Sequence, residues 1–512
     1  MKTIAALAVL ASAAFAFASV VPIASAAELA PRAPGAKASY QAMVAQGAAD
    51  RVTVKFREGR KVRLKGAALD GLSGAESKAF RTALEAAGAG GGALSKLHSV
   101  PEETLDAQRA EAQAEAGEEI ADLNLYYVLQ LPAGANAAAV ADRLNGLPFV
   151  EYAAPAPRPA PPPVDIAPTT PKFVSQQGYL KGRNVGVGAL SPDVYPGGNG
   201  KGIRVVDVEY SWRLDHEDLE IPADRVLTGG QTASDPFSND HHGTAVLGEI
   251  VGKKNAYGVT GIAPGATAYV APAMTTPAGY TPARAIITAG QQLRRGDVLI
   301  IEQQYWVCGY PTSQNRYGPL ETLQDVFDAV STLTGRGVIV VAAAGNGAVN
   351  LDAPECAGQF DRKVRNSRAL IVGASSSTDH SRLSFSSYGS RVDVQGWGEN
   401  VVTTGYGDLF FPADIRQAYT SGFNGTSSAT PIVTGAVAAI QGVRKACGLG
   451  PLSPKNMRKA LVSTGTPQGG DASTAIGPLP RILPALKSTD ARPCVRALER
   501  AAAPADRTAS LD

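Results

Sequence analysis

The strongest constraint on the fold is a series of short apolar runs that alternate with helical patterns. These runs, rich in Val, Ile, Leu and Ala, lie at 203–208, 268–271, 298–301, 338–342 and 370–373. Strands that are apolar on both faces are typical of parallel sheets that helices cover on two sides. The pattern therefore predicts an α/β fold with a doubly wound parallel sheet, in which 318–334 has the spacing of a crossover helix. In such sheets, sites form beyond the C-terminal ends of the strands.

The first third of the chain is organised differently. Residues 1–26 combine a lysine, an apolar run and a final Ala-Ser-Ala, which predicts a cleaved signal peptide rather than a membrane anchor, and hence an exported protein. Residues 27–163 predict a small α+β domain that ends in the Pro-rich linker APAPRPAPPP. An α/β domain at 164–487 and a C-terminal tail at 488–512 complete the predicted organisation.

Charge and cysteine content narrow the classes of function. The chain has 48 Lys and Arg against 46 Asp and Glu, and no basic tract, so we expect no nucleic-acid partner. The four cysteines are Cys308, Cys356, Cys447 and Cys494. In an exported chain they predict two disulfides, for which the sequence alone allows three pairings. No Cys-x-x-Cys is present and no histidine is near a cysteine in sequence, which disfavours zinc.

Four residues at strand ends and helix starts supply the groups that acyl transfer needs. Ser427 lies in GTSSATP, a glycine turn that opens an apolar helix, and His242 lies in HHGTAVLG at the start of another helix. Asp207 and Asn346 each come at or just past an apolar strand. Taken singly, these are an ordinary cap, a surface histidine and two turn residues. The set predicts a nucleophile (Ser427), a base (His242), an orienting acid (Asp207) and an oxyanion donor (Asn346).

These motifs resemble those of the subtilisin-like serine peptidases, or subtilases. The resemblance rests on VVD at Asp207, HGTAVLG at His242, AAAGN at Asn346 and GTSSATP at Ser427, in that family's order of Asp, His and Ser. It implies a subtilisin-like sheet of about seven strands and serine endopeptidase activity on polypeptides. Residues 126–155 are similar to the family's propeptides, which implies a zymogen whose own propeptide is an intramolecular inhibitor.

The resemblance carries further expectations. On the family's map, Cys308 would pair with Cys356 near the substrate pocket, and Cys447 with Cys494 at the C-terminal tail. We expect no cofactor; calcium is common in subtilases, but the sequence assigns no site. The expected localisation is secreted, with no stable membrane anchor after signal cleavage.

The chain departs from the family pattern in two places. Val208-Glu209 follows Asp207, where the family has Ser or Thr and then Gly; Glu209 faces the side of Asp207 if the strand continues, and solvent if the chain turns. Glu302-Gln303-Gln304 replaces a Ser-Leu-Gly edge, which places Glu302 and Gln304 in the substrate pocket and favours basic side chains before the scissile bond, unless Glu302 points into the core. His241 is expected to be a spectator, and His216 to support a loop.

Two other functions remain open on the sequence. One is a subtilase-like binding protein whose cleft has been repurposed, which the complete set of catalytic residue types disfavours. The other is a peptide transpeptidase or cyclase, which uses the same acyl-enzyme and differs only in the nucleophile that resolves it. A lipase is disfavoured because GTSSA lacks the final glycine of G-x-S-x-G.

Overall fold

The computed structural model describes residues 29–66, 68–157, 173–219, 221–411 and 414–502. The predicted signal peptide and most of the Pro-rich linker lie outside the described residues, as does the end of the predicted tail. Among the described residues, no helix combines the length and apolar character needed to cross a bilayer.

The N-terminal domain is an antiparallel sheet with helices. Its strands and helices are β1 Gly47–Phe56, β2 Arg63–Lys65, β3 Ala68–Asp70, β4 Ala93–Lys96, β5 Tyr126–Gln130 and β6 Val150–Pro157, with α1 Tyr40–Gln46, α2 Gly74–Ala86, α3 Glu102–Ala116 and α4 Ala137–Asn145. The sheet order is β4-β5-β1-β6. Val52, Val54 and Phe56 alternate onto one face and build the core of this domain. Thr53 and Lys55, on the other face, are also buried.

The larger domain follows. Its strands are β7 Arg204–Glu209, β8 Thr232–Ala233, β9 Thr267–Pro272, β10 Met274–Thr276, β11 Gly279–Tyr280, β12 Val298–Ile301, β13 Gln304–Trp306, β14 Tyr317–Pro319, β15 Ile339–Ala343, β16 Leu370–Ser375, β17 Val394–Trp397, β18 Val401–Thr404 and β19 Tyr419–Phe423. Its helices are α5 Phe173–Gln176, α6 Asp240–Val251, α7 Pro282–Gly290, α8 Gln324–Gly335, α9 Thr426–Ala446, α10 Pro454–Thr464, α11 Ile482–Lys487 and α12 Arg492–Ala502.

A six-stranded parallel sheet organises this domain, in the order β17-β16-β15-β12-β7-β9. Alternate side chains point to opposite faces, so Val205 and Ile300 join a core cluster with α6 and α9. Val206 and Leu299 join a second cluster with α7 and α8 on the other face. Helices therefore cover both faces, which confirms the predicted doubly wound fold.

The predicted crossover helix at 318–334 is real but begins later. Residues Tyr317–Pro319 form β14, which pairs antiparallel with β13, and a short 3-10 turn follows at Leu320–Thr322. Helix α8 therefore starts only at Gln324. The apolar spacing extends back to Leu320, but residues 317–319 take a strand conformation because they pair with β13, whose partners lie 11 to 15 residues earlier in the chain.

The N-terminal domain packs on the α7–α8 face of the larger domain. Helix α3 lies against α8, and Leu97, Leu105 and Tyr126 join the core cluster on that face. The Tyr126 hydroxyl donates to the buried Asp328 carboxylate of α8. Ion pairs join the acidic side chains of α3 and the residues just after it to arginines of the larger domain: Glu111 with Arg336, Glu115 with Arg295, and Glu118 with Arg368.

Candidate active site

The candidate nucleophile Ser427 is the second residue of α9. Gly425 precedes the helix with φ of 91°, a left-handed conformation that favours glycine, and its N–H donates to the Gly398 carbonyl. Ser428, one residue on, turns its hydroxyl away to the Trp397 carbonyl, 2.9 Å distant. The Ser427 side chain is fully buried, and its Oγ has no hydrogen bond of ordinary geometry among the described residues.

His242 lies in the first turn of α6 and contacts a glutamate. Its Nδ1 is 2.9 Å from Oε2 of Glu209, the last residue of β7. The other carboxylate oxygen of Glu209, Oε1, accepts a hydrogen bond of 2.7 Å from the Tyr210 N–H. Phe423 packs edge-on against the imidazole, with 5.6 Å between ring centroids. A carboxylate fixed in this way holds the imidazole in one orientation and favours the tautomer with hydrogen on Nδ1.

Asp207 does not make the contact with His242 that the sequence pattern predicted. Its Oδ2 instead accepts a 2.6 Å hydrogen bond from Trp212 Nε1, and Oδ1 has no partner among the described residues. The physical reason is that β7 continues two residues beyond Asp207, so Glu209 rather than Asp207 stands at the strand end. Burial, and then the charge of Glu209, raise the pKa of Asp207 well above its usual value.

Asn346 follows β15 and is held against the start of α9. Its Oδ1 accepts hydrogen bonds from the Thr426 N–H at 2.9 Å and from Thr426 Oγ1 at 3.1 Å. Its own N–H donates to Gln304 Oε1 at 2.7 Å. These contacts hold the Asn346 amide against Thr426, the residue before Ser427. Its Nδ2 group is a donor with no partner among the described residues.

Glu302 lies in the core beside the other acidic residues. It is 2% exposed and follows β12, where Ile300 pairs with Asp207 and Ile301 with Val208. Burial, and then Asp207 and Glu209, raise the pKa of its carboxyl well above the usual range. Gln303 and Gln304 are buried too. The assignment of Glu302 and Gln304 to the substrate pocket stays a prediction.

The other two histidines near these motifs make structural contacts. His241 Nδ1 accepts the Tyr406 N–H at 3.1 Å. His216 Nε2 lies 2.8 Å from the Ala418 carbonyl, and its Nδ1 accepts the Asp218 N–H at 3.2 Å, so it joins two loops as predicted. In the described part of the chain, no group of three His, Cys, Asp or Glu side chains is arranged to hold a metal ion.

Both predicted disulfides form. Cys308 bonds to Cys356 and Cys447 bonds to Cys494. The first joins the loop after β13 to the segment after Asn346. The second ties the C-terminal end of α9 to α12, which packs on the core through Val495.

Comparison with known proteins identifies the family. The model of the subtilase family matches residues 199–477, more than half of the chain, and this segment contains all four predicted catalytic residues. The chain belongs to the subtilase family. Subtilases are serine proteases that act on polypeptides, so this subtilase is a serine-type hydrolase.

Curated relatives agree with this assignment, and a solved structure shares the fold. The subtilase is 30% identical over 244 residues to subtilisin Savinase of Lederbergia lenta, an alignment that covers 48% of this chain and 77% of that protein. It is 30% identical to an alkaline protease of Alkalihalobacillus alcalophilus, of which the alignment covers 54%. Fervidolysin from Fervidobacterium pennivorans, a keratinolytic enzyme, shares the fold with a TM-score of 0.54 at 17% identity, over 86% of this chain and 61% of that one.

Sequence reasoning selected Ser427, His242 and Asn346 and named Asp207 as the acidic partner, whereas the carboxylate that contacts His242 in the structure is Glu209, two residues later. The signal for Glu209 was present, since Val208-Glu209 is where this subtilase departs from the family pattern. In the structure the strand continues past Asp207, so Glu209 lies on the same side of β7 as Asp207. The length of β7 and the hydrogen bond from Trp212 distinguish the two carboxylates, and strand ends are poorly determined by local sequence.

Proposed function

We propose that this subtilase is a secreted serine endopeptidase made as a zymogen, with Ser427 as nucleophile, His242 as base, Glu209 as the acid that orients the base, and Asn346 as oxyanion donor. The observation that carries the proposal is the 2.9 Å contact between Glu209 Oε2 and His242 Nδ1. With Nδ1 occupied by a carboxylate, the neutral imidazole presents Nε2 as the acceptor that a serine hydroxyl needs.

The chemistry follows from these groups. His242 Nε2 takes the Ser427 proton while Oγ attacks the scissile carbonyl carbon, and the carbonyl oxygen becomes an oxyanion. Asn346 Nδ2 and the N–H groups at the start of α9 can donate to that oxyanion. His242 then gives its proton to the leaving amine, and water resolves the acyl-enzyme by the same steps in reverse. Glu209 stabilises the imidazolium in both halves of the reaction.

The zymogen proposal is supported by the packing of the N-terminal domain. Strand β6 contributes Tyr152, Ala154 and Pro155 to a groove of about 470 Å³ that Tyr305 and Trp306 of β13 also line. Since β13 begins at Gln304, which is predicted to line the substrate pocket, the groove brings β6 of the N-terminal domain to that segment. We propose that the N-terminal domain inhibits the enzyme until the chain is cut in the Pro-rich linker.

The test compares the full chain with its Ser427→Ala variant. We expect the wild type to release the N-terminal domain and to be labelled by a fluorophosphonate probe, and the variant to do neither. Ser428→Ala is the matched control, because Ser428 neighbours the nucleophile but directs its hydroxyl at Trp397, and it should still label. If wild type and Ser427→Ala both mature and neither labels, the enzyme is not a serine peptidase and the alternative of a binding protein is favoured.

The substrate pocket can be tested on the matured enzyme. Cleavage of peptides with Arg or Lys before the scissile bond is compared with cleavage of matched Leu and Phe peptides. The burial and raised pKa of Glu302 predict no preference for the basic peptides. A preference that Glu302→Gln abolishes would instead place a charged Glu302 in the pocket, as the sequence pattern suggested. Higher rates on Leu and Phe peptides would remove that assignment.

A further inference from the structure

The buried face of the sheet beneath α6 and α9 carries three acidic side chains, although one carboxylate is enough to orient the catalytic base. Val205 of β7 and Ile300 of β12 point to this face, and so by alternation do Asp207, Glu209 and Glu302. Ile301 pairs with Val208, so the next register step places Glu302 beside Glu209. Three carboxyl groups therefore share one water-poor site with His242 and Ser427.

Glu302 lacks the groups that would stabilise a buried negative charge. Neither of its oxygens has a hydrogen bond of ordinary geometry among the described residues. The charged groups that raise its pKa are Asp207 and Glu209 from β7 and Glu249 from α6, all acidic, and the nearby Ser427 hydroxyl acts in the opposite direction. His242 of α6 is the one basic group already placed in this site, and its Nδ1 is engaged by Glu209. A buried charge without a cation or N–H donors is costly, and the group keeps its proton instead.

We propose that Glu302 is a positioning residue that works only in its uncharged form beside Ser427; this inference rests on the proposed serine peptidase function. Protonated, Glu302 leaves the Ser427 hydroxyl free to donate to His242. If Glu302 were ionised, its carboxylate would accept a hydrogen bond from the Ser427 hydroxyl and compete with His242 Nε2 for it. Its charge would also favour the imidazolium, which cannot act as a base. The proton stays on Glu302 throughout the reaction.

This role has a distinct pH signature. An acid whose pKa is raised is neutral below that pKa and charged above it, so activity falls as the pH rises through the pKa of Glu302. Glutamine has the shape of the neutral acid and cannot ionise. We expect Glu302→Gln to lose the alkaline decline of kcat/KM, because the amide has no proton to release. Glu302→Asp keeps an ionisable group and should keep the decline.

Infrared spectroscopy measures the protonation without reference to activity. In the full-length Ser427→Ala chain at about pH 7, adding Glu302→Gln should remove a protonated-carboxyl band and leave the carboxylate bands unchanged. Loss of a carboxylate band would overturn the inference even if the enzyme is a peptidase. So would a folded Glu302→Gln enzyme with kcat/KM reduced 100-fold or more, or with an unchanged alkaline decline. If Glu302→Gln removes the protonated-carboxyl band but the wild type takes no fluorophosphonate label, Glu302 is neutral as inferred and the proposed peptidase function is what fails.

Discussion

Glu209 Oε2 lies 2.9 Å from His242 Nδ1, whereas Oδ2 of Asp207, two residues earlier on the same strand, accepts a hydrogen bond from the Trp212 indole N–H. Both carboxylates are buried on the same side of β7, yet only one meets the imidazole. The longer glutamate side chain at the strand end thus takes the place that the sequence pattern suggested for an aspartate. The account of the site depends on this relationship.

Asn346 should contribute to the transition state rather than to substrate binding. Asn346→Asp keeps the oxygen that accepts from Thr426 but replaces the Nδ2 donor with an oxygen that repels an oxyanion. We expect kcat to fall about 10²- to 10³-fold with KM changed little. Thr426→Val is the control, because it removes only the Oγ1 contact and should change kcat by less than about 10-fold. A rise in KM with unchanged kcat would assign Asn346 to substrate binding instead.

The two disulfides offer a matched pair of deletions. They close loops of nearly equal sequence separation, 48 and 47 residues, so the chain-entropy argument gives each the same upper limit of about 4 kcal/mol in free energy of unfolding. Replacing either pair by serine should lower the denaturant midpoint by a similar amount. Only loss of Cys308–Cys356 should also lower kcat/KM, because that bridge joins the segments after β13 and Asn346. Equal effects on kcat/KM would contradict this local role.

His98 should make the packing of the N-terminal domain sensitive to acid. It is 3% exposed, lies edge-on to Tyr126, and has no hydrogen-bond partner for either ring nitrogen among the described residues. Burial, and then the nearby Arg284 guanidinium, lower the pKa of His98 to about 3. In the unfolded chain His98 takes up a proton at its ordinary pKa of 6.5, well above its folded pKa. The free energy of unfolding is therefore unaffected by this histidine above about pH 6.5 and decreases as the pH falls from 6.5 towards 3.

The slope of stability against pH measures this effect. In full-length Ser427→Ala, His98 contributes up to about 1.4 kcal/mol of free energy of unfolding per pH unit below its unfolded pKa. Burial raises the pKa of Asp325 to about 6, so Asp325 makes the protein more stable, not less, as the pH falls. The effect of His98 is therefore isolated by comparing two proteins that differ only at residue 98. We expect urea unfolding of the His98→Leu version to lose less stability between about pH 6.5 and 5. Parallel slopes for the two proteins would contradict the role of His98.

The elements that sequence predicted well are those that local pattern determines. Apolar runs such as 298–301 and 203–208 lie in the parallel sheet, and the helices that carry His242 and Ser427 in their first turns start where the sequence indicated. The start of α8 was wrong because the pairing of β14 with β13 is a long-range contact that apolar spacing does not encode.

The acidic residues show the same limit at the site. Alternation places Asp207 and Glu209 on one face of β7. Which of the two contacts His242 depends on where β7 ends and on Trp212, which follows the strand and donates a hydrogen bond to Asp207. Glu302 was predicted at the pocket from a family comparison of β12. Its surroundings, in which the nearby titratable groups are acidic, follow from the register between β12 and β7, which local sequence leaves open.

The most direct test of the account is the comparison of Glu209→Gln with Asp207→Asn by steady-state kinetics, with thermal unfolding as the check on folding. Glu209→Gln removes the charge that orients His242 and stabilises its imidazolium, so kcat/KM should fall about 10³- to 10⁴-fold. Asp207→Asn replaces a carboxyl group of raised pKa with its neutral amide, and should change kcat/KM by less than about 10-fold. The opposite order, with Asp207→Asn inactive and Glu209→Gln near wild type, would contradict the account.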